Sequence, residues 1–147
     1  MARTKPNIPR RIRPLNLAMQ ATHIRHRFPQ FACRIQQGCA IWRGALQPRL
    51  TSPLYQVEIS YKQKKLPKVR VISPPLAANA PHLYSDGTLC LYWPKEWRWQ
   101  PDTLIAETIL PWTASWLYYY ELWLDTDQWL APSSHDPVNE ELICRRD

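Results

Sequence analysis

The chain has 147 residues, the length of a single domain, and only three glycines. Because Gly38, Gly44 and Gly87 cannot be assembled into G-x-G-x-x-G or G-x-x-x-x-G-K-S/T, the glycine-rich loops that cradle phosphates are excluded. The net charge of +7 is divided unequally, since residues 1–70 carry 15 Lys/Arg and one acid, whereas residues 71–147 carry four Lys/Arg and 11 acids. A basic first half of this kind suggests a nucleic-acid partner.

Hydropathy and cysteine spacing limit the cellular compartment and the kinds of site that we expect. The longest uncharged run of the Trp-rich half, residues 108–120, has 13 residues, short of the roughly 20 that a bilayer span needs. Residues 15–20 are too short and too polar for a signal-peptide core, so we expect a cytoplasmic protein whose cysteines are free thiols. The four cysteines form no C-x-x-C pair, and we expect neither a metal nor another cofactor.

The first part of the chain predicts an arm followed by a helix. Residues 1–14, rich in Pro and Arg, are predicted to form a basic solvated arm. Helical spacing predicts a helix over residues 15–28, ended by Pro29. Its buried face is predicted to consist of Leu15, Met19 (or Ala18), Thr22 and His26.

Four strand-like runs follow, at residues 31–36, 39–46, 54–62 and 68–72. Gln37 and Gly38 separate the first two, and this pair suits a tight hairpin. In the third run apolar and polar residues alternate, as they do in a strand with one buried face. Because the connections are short, we expect an antiparallel meander.

The second half predicts a loop segment and then helices. The prolines of residues 73–81 exclude a regular ladder there, and Asp86-Gly87 predicts a turn. Pro101 is predicted to begin a helical segment that Pro111 kinks or splits. The apolar stripe of that segment is predicted to be Ile105, Ile109, Trp112, Trp116, Tyr119 (or Tyr120) and Trp123. We therefore expect an α+β domain over residues 15–130, with a C-terminal tail over residues 131–147.

This order of elements and four short motifs resemble ubiquitin-conjugating (E2) enzymes. The motifs are WRGAL at residues 42–46, PKVRV at 67–71, GTLCL at 87–91 and WQP at 99–101. In E2s they form the W-x-G strand, the P-x-V strand, the active-site segment and the start of the crossover helix. The resemblance spans about residues 15–125 and implies the E2 fold, with an N-terminal helix, a four-stranded antiparallel meander, an active-site segment and C-terminal helices.

A second set of segments is similar to the bacterial E2-like proteins of CBASS anti-phage operons. They are HLY at residues 82–84, CLYWP at 90–94, PWT at 111–113, WL at 116–117 and YELWL at 120–124. This resemblance implies a cGAS-like nucleotidyltransferase as the partner, which the protein modifies at its C-terminus or primes. It leaves open whether an E1-like adenylating protein activates the carboxyl group.

The resemblance assigns the chemistry to Cys90, which would hold an acyl group as a thioester; the alternative is a small buried apolar residue. In E2s the Asn of an H-P-N tripeptide, eight residues before the cysteine, is assigned the oxyanion. Here His82 stands at that position without a gap, and would match the family's His if two residues were deleted. We adopt the ungapped alignment, in which His82 positions the segment or donates to the oxyanion, against the alternative of a structural histidine.

Three further residues are accessory candidates. The hydroxyl of Tyr84 is a weaker substitute for the oxyanion donor. Asp86 either helps to deprotonate an incoming amine or is an ordinary turn residue. His135 either approaches the site or belongs to the tail, and the tryptophans after Cys90 either pack in the core or grip an extended peptide tail.

Three functions are therefore weighed: an E2-like acyl carrier, a non-catalytic E2 variant that positions its partner, and a nucleic-acid-binding protein. The third is disfavoured because few aromatic residues are interleaved with the basic ones. E2s meet partner proteins through the first helix and nearby strand edges. The resemblance thus makes the arginines in and before the first helix a docking surface for an acidic protein face, namely Arg11, Arg13, Arg25 and Arg27.

Overall fold

The computed structural model describes residues 15–131. The elements are α1 (Leu17–Arg27), β1 (Ala32–Gln36), β2 (Cys39–Leu46), β3 (Tyr55–Lys62), β4 (Lys68–Ser73), a 3₁₀ turn (Ile105–Glu107) and α2 (Ile109–Thr126). The strands form one antiparallel sheet in the order β1-β2-β3-β4. This confirms the predicted α+β class and the meander. The predicted arm and the predicted tail beyond Ala131 lie outside the described residues.

The strand pattern follows the sequence closely. Gln37 and Gly38 have φ angles of 52° and 73°, and positive values at both central residues are what a two-residue hairpin needs. In β3 every second residue, from Tyr55 to Tyr61, is buried, as the alternation predicts. One face of the sheet therefore covers the core and the other faces outward.

The start of α1 is set by Asn16, whose Oδ1 accepts a hydrogen bond from the Met19 backbone N–H at 2.8 Å. The predicted buried face of this helix is wrong. Met19 is 45% exposed, Thr22 and His26 are exposed, and the fully buried residues are Gln20 and Ile24.

Gln20 can be buried because both ends of its amide are paired. Its Nε2 donates to the Thr103 carbonyl at 2.8 Å, and its Oε1 accepts from the Ile105 backbone N–H at 3.0 Å. A buried polar group that is hydrogen-bonded avoids the desolvation penalty that a buried group without partners would incur. The pairing joins α1 to the segment that leads into the 3₁₀ turn, a long-range contact that helical spacing does not reveal.

The second helical segment begins later than predicted. Pro101 lies in a turn, and α2 starts at Ile109, so Pro111 is the third residue of the helix. In the first turn a backbone N–H has no partner within the helix, which makes the missing N–H of proline harmless there. The expected kink or split at Pro111 is therefore wrong, and the predicted C-terminal helices are a 3₁₀ turn and one α-helix within residues 15–131.

The core joins both helices to the inner face of the sheet. The predicted stripe is buried at Ile109, Trp116 and Tyr120, whereas Trp112 and Trp123 are only partly buried. On β2, Gly44 lies directly against Phe31. Glycine is required at this position because a side chain would collide with Phe31, and not because of its backbone angles.

We expect Gly44→Ala to lower the free energy of unfolding by about 1–3 kcal/mol, the usual cost of overpacking a core. The new Cβ would lie 2.6 Å from Phe31 Cγ and 2.9 Å from Phe31 Cα, and a backbone atom cannot rotate away. Urea unfolding followed by tryptophan fluorescence measures the loss. Gly38→Ala is a comparison and not a neutral control, because its side chain meets nothing within 4 Å but its left-handed backbone alone costs about 1–2 kcal/mol. A Gly44→Ala midpoint equal to the wild-type value would contradict the prediction.

Candidate active site

Residues 82–90 form a short hairpin that places Cys90 opposite His82. The Cys90 backbone N–H donates to the His82 carbonyl at 2.9 Å, and the Tyr84 N–H donates to the Thr88 carbonyl at 2.8 Å. The structure thus brings together the backbones of the two residues predicted to be central, with Tyr84 two residues further along the same strand of the hairpin.

Asp86 and Gly87 form the tip of the hairpin, where Gly87 has a φ angle of 83°. One oxygen of the Asp86 carboxylate accepts from the Thr88 backbone N–H at 2.9 Å and from its Oγ1 at 2.6 Å. The other accepts from Lys68 Nζ at 2.9 Å. The Thr88 hydroxyl hydrogen bond and then Lys68 hold the pKa of Asp86 well below its ordinary value. A carboxylate with a depressed pKa is a weak base, and the geometry favours a turn-bracing role for Asp86.

The depressed pKa of Asp86 predicts an acid-dependent contribution to stability. Since the folded protein holds the ionised form, this contribution is present above the unfolded pKa of about 3.9 and is lost as the pH falls through the lower folded value. We expect the difference in unfolding free energy between wild type and Asp86→Asn to be constant above about pH 5 and to shrink below about pH 4. Urea titrations from pH 7 to pH 2.5 measure it. A difference that does not change with pH would refute the assignment.

Two contacts anchor the hairpin to the rest of the fold. The Leu89 backbone N–H donates to the Val69 carbonyl at 2.8 Å, which ties the hairpin to β4. Trp116 Nε1 donates to the His82 carbonyl at 3.2 Å, which ties it to α2. The carbonyl of His82 therefore accepts two hydrogen bonds, one from Cys90 and one from the helix.

His82 is 9% exposed, and its backbone is left-handed, with a φ angle of 55°. Among residues other than glycine this conformation is uncommon and is enriched in Asn, Asp and His. The imidazole packs on Trp129, with the two ring centroids 4.7 Å apart. The contact to Trp129 could not be predicted, since Trp129 lies 47 residues further along the chain and follows the end of α2.

Cys90 is 9% exposed, and its Sγ lies 3.7 Å from the Tyr92 carbonyl oxygen. Cys33 and Cys39 are free thiols in the structure. Chemistry at Cys90 requires the reduced form.

The aromatic residues that follow Cys90 divide into two groups. Trp99 is buried and packs edge-on against Tyr61, with the ring centroids 5.5 Å apart. Trp97 is only partly buried and lies between Tyr92 and Trp112, with centroid distances of 4.6 and 4.8 Å. Trp99 thus belongs to the core, whereas the ring cluster around Trp97 retains exposed surface next to the hairpin.

The remaining predicted site residues are not gathered here. Arg25 and Arg27 are exposed in the last turn of α1, while Arg11, Arg13 and His135 lie outside the described residues. Lys68, which braces Asp86, is the first residue of β4, and no sequence signal links it to Asp86, 18 positions further along the chain.

Two classes of site are not found in the part of the chain that the structure describes. Within residues 15–131 no three His, Cys, Asp or Glu side chains come together as a metal site would require. Neither α1 nor α2 combines the length and the apolar character that crossing a bilayer demands.

A comparison with protein families matches the chain to the model of type II CBASS E2 proteins over residues 20–136. The match contains the whole sheet, the hairpin with Cys90, and α2. No curated protein gives a match. Because the family model covers most of the chain, the match supports a role of this protein in CBASS anti-phage defence. The chain belongs to the type II CBASS E2 proteins.

Proposed function

We propose that the protein is an E2-like acyl carrier that holds the C-terminal carboxyl group of a partner as a thioester on Cys90. In this step the Cys90 thiolate attacks the activated carbonyl carbon, a carbon–sulfur bond forms, and the activating group leaves. An acceptor nucleophile then breaks that bond and releases the thiol. The observation that supports the proposal is the hairpin, which fixes the Cys90 backbone opposite His82. The resemblance to E2 enzymes assigns the reacting cysteine to this segment.

The developing oxyanion needs a hydrogen-bond donor, which contributes about 3–4 kcal/mol in other acyl-transfer sites. The backbone N–H groups of residues 87–90 are all engaged within the fold, with Tyr84, Asp86, Val69 and His82 as acceptors. These four N–H groups are therefore not available as the donor, and we assign that role to a side chain. His82 is the residue that the fold holds against the Cys90 strand, and Tyr84 is the alternative.

The proposed partner is a cGAS-like nucleotidyltransferase, with an E1-like adenylating protein as the class that would activate its carboxyl group. The exposed Arg25 and Arg27 form part of a docking surface for an acidic face of the partner. The burial of the aromatic residues in the basic half favours a protein partner over a nucleic-acid partner. Phe31, Trp42, Tyr55 and Tyr61 are each at most 5% exposed and cannot stack on bases.

Cys90→Ala tests the carrier function directly. We expect reduced wild-type protein, incubated with the activated nucleotidyltransferase, to form a covalent adduct that a thiol reductant cleaves on a gel. Cys90→Ala should form none, because no other side chain occupies the reacting position. Phage protection of cells that carry the operon should fall in parallel.

Cys39→Ala is the matched control, because Cys39 is a free, partly buried thiol on β2. It should form adducts at the wild-type level. Wild-type adducts and wild-type protection in Cys90→Ala would contradict the carrier function. Protection and partner binding that survive Cys90→Ala without any adduct would instead establish the non-catalytic positioning role.

His82→Asn and His82→Ala separate the donor role from a purely structural one. Asn tolerates the left-handed backbone and provides an amide donor, so adduct formation should stay within about tenfold of wild type. Ala adds about 1–2 kcal/mol of backbone strain and removes the donor, which should slow adduct formation about 10²- to 10³-fold. Rapid-quench experiments analysed on gels measure the rates of adduct formation. Thermal unfolding measures the loss of stability that the backbone strain causes. Equal rates for all three proteins would exclude His82 from the reaction.

A further inference from the structure

The chain turns sharply where α2 ends. Asp127, the residue after the helix, has left-handed backbone angles (φ 59°, ψ 19°), and its N–H donates to the Trp123 carbonyl at 2.8 Å. The Thr126 hydroxyl accepts a hydrogen bond from the Gln128 N–H at 3.2 Å. A left-handed residue after the last turn is a common way to end a helix. The turn brings the next aromatic residue, Trp129, back against the helix.

Trp129 connects α2 to the imidazole of His82. Its ring lies beside two aromatic rings of the helix, with centroids 5.4 Å from Trp116 and 6.3 Å from Tyr119. The same ring packs on the His82 imidazole, with the centroids 4.7 Å apart and the planes tilted by 46°. A side chain that follows the helix thus limits the space in which the imidazole can move.

Trp116 holds the backbone of the same histidine. Trp116 is 4% exposed, and the N–H of a buried indole needs an acceptor. It donates to the His82 carbonyl at 3.2 Å. Trp116 is itself stacked on Tyr120, with the centroids 5.4 Å apart and the planes within 11° of parallel. His82 is therefore held by two tryptophans, at its carbonyl by Trp116 and at its ring by Trp129.

The two contacts restrict His82 in different ways. The hydrogen bond to the carbonyl fixes the backbone from which the side chain projects, but it leaves rotation about χ1 free. The ring of Trp129 restricts that rotation, because the imidazole packs directly on it. A group that is already held in its reacting orientation need not be ordered in the transition state, and this is the advantage of a preorganised donor.

We propose that Trp116 and Trp129 are positioning residues of the acyl-transfer reaction and that both act through His82. Trp116 fixes the backbone of the histidine, and Trp129 holds its ring in one orientation. The inference rests on the proposed function, because it requires His82 to take part in acyl transfer at Cys90. The alternative is a purely structural role, in which the two tryptophans only pack α2 against the hairpin.

Acyl transfer from a small thioester tests the two tryptophans without any activating protein. The donor is the acetylglycine thioester of 2-mercaptoethanesulfonate. The reduced Cys90 thiolate attacks its carbonyl carbon, a new carbon–sulfur bond forms, and the small thiolate leaves. Intact-mass spectrometry measures the rate of transfer. The rate in Cys90→Ala is subtracted, because Cys33 and Cys39 are also free thiols.

A double-mutant cycle separates positioning from structure. Trp129→Leu keeps an apolar side chain but removes the ring, and we expect it to slow acyl transfer about tenfold when His82 is present. In the His82→Ala background the same substitution should change the rate less than about twofold, because the group that it positions is gone. Trp129→Phe retains a ring and should stay within about threefold of the wild-type rate.

Trp116→Phe tests the hydrogen bond in a second cycle. It removes the N–H and keeps an aromatic ring, and it should slow transfer about tenfold only where His82 is present. Trp123→Leu is the matched control and should transfer within about twofold of the wild-type rate. Trp123 is a partly buried tryptophan of the same helix whose ring stacks on Tyr120, with the centroids 6.0 Å apart. Thermal unfolding checks each variant, and a variant that does not fold leaves the decision to the other cycle.

The outcomes separate the positioning role from the carrier function. Equal slowing with and without His82, no slowing, or equal slowing in Trp123→Leu would overturn the positioning role and leave the carrier function intact. A wild-type rate in His82→Ala would have the same meaning, since the tryptophans would then have no reacting group to position. Transfer that is no faster in the reduced wild type than in Cys90→Ala would overturn the carrier function itself.

Discussion

The carbonyl of His82 is the point on which the site depends. It accepts one hydrogen bond from the Cys90 backbone at 2.9 Å and one from the Trp116 indole at 3.2 Å, so one oxygen fixes the hairpin to itself and to α2. The left-handed backbone at His82 is the conformation in which these bonds are made. Such strain persists only where surrounding contacts hold it, and the packing of Trp129 on the imidazole supplies one of them.

Hydrogen bonds of buried polar groups also join other elements of the fold. Apolar packing alone would not fix the relative positions of these elements. Glu121 on α2 is 7% exposed and accepts hydrogen bonds from Ser52 at 2.6 Å, Tyr55 at 3.0 Å and Arg49 at 3.2 Å. Burial, followed by the Glu121 hydrogen bond, raises the pKa of the Tyr55 phenol and keeps it a donor. With Gln20, which ties α1 to the 3₁₀ turn, these contacts set the helices relative to the sheet.

Local patterns predicted the parts of the fold that depend on local physics. Alternation placed β3 within a residue of its bounds, and Gln37-Gly38 identified the β1–β2 turn, because strand faces and tight turns are decided by neighbouring residues. The buried face of α1 and the start of α2 were missed, since both depend on partners far along the chain, such as Thr103 for Gln20. At the site, sequence resemblance indicated His82 and Cys90, whereas the Lys68–Asp86 contact depends on the three-dimensional fold alone.

The ion pairs of the structure show one consequence of the unequal charge of the two halves of the chain. Within residues 15–131, Arg49–Glu121 and Lys68–Asp86 each join a cation of the basic half to an acid of the acidic half. The first pair fixes the β2–β3 loop to α2, and the second fixes β4 to the hairpin, so opposite charge helps the halves to dock on each other. The exposed Lys68–Asp86 pair contributes little energy, whereas Glu121 of the other pair is buried and accepts three hydrogen bonds. The cations at the β3–β4 turn and at the end of α1 are exposed and take part in none of the ion pairs within residues 15–131.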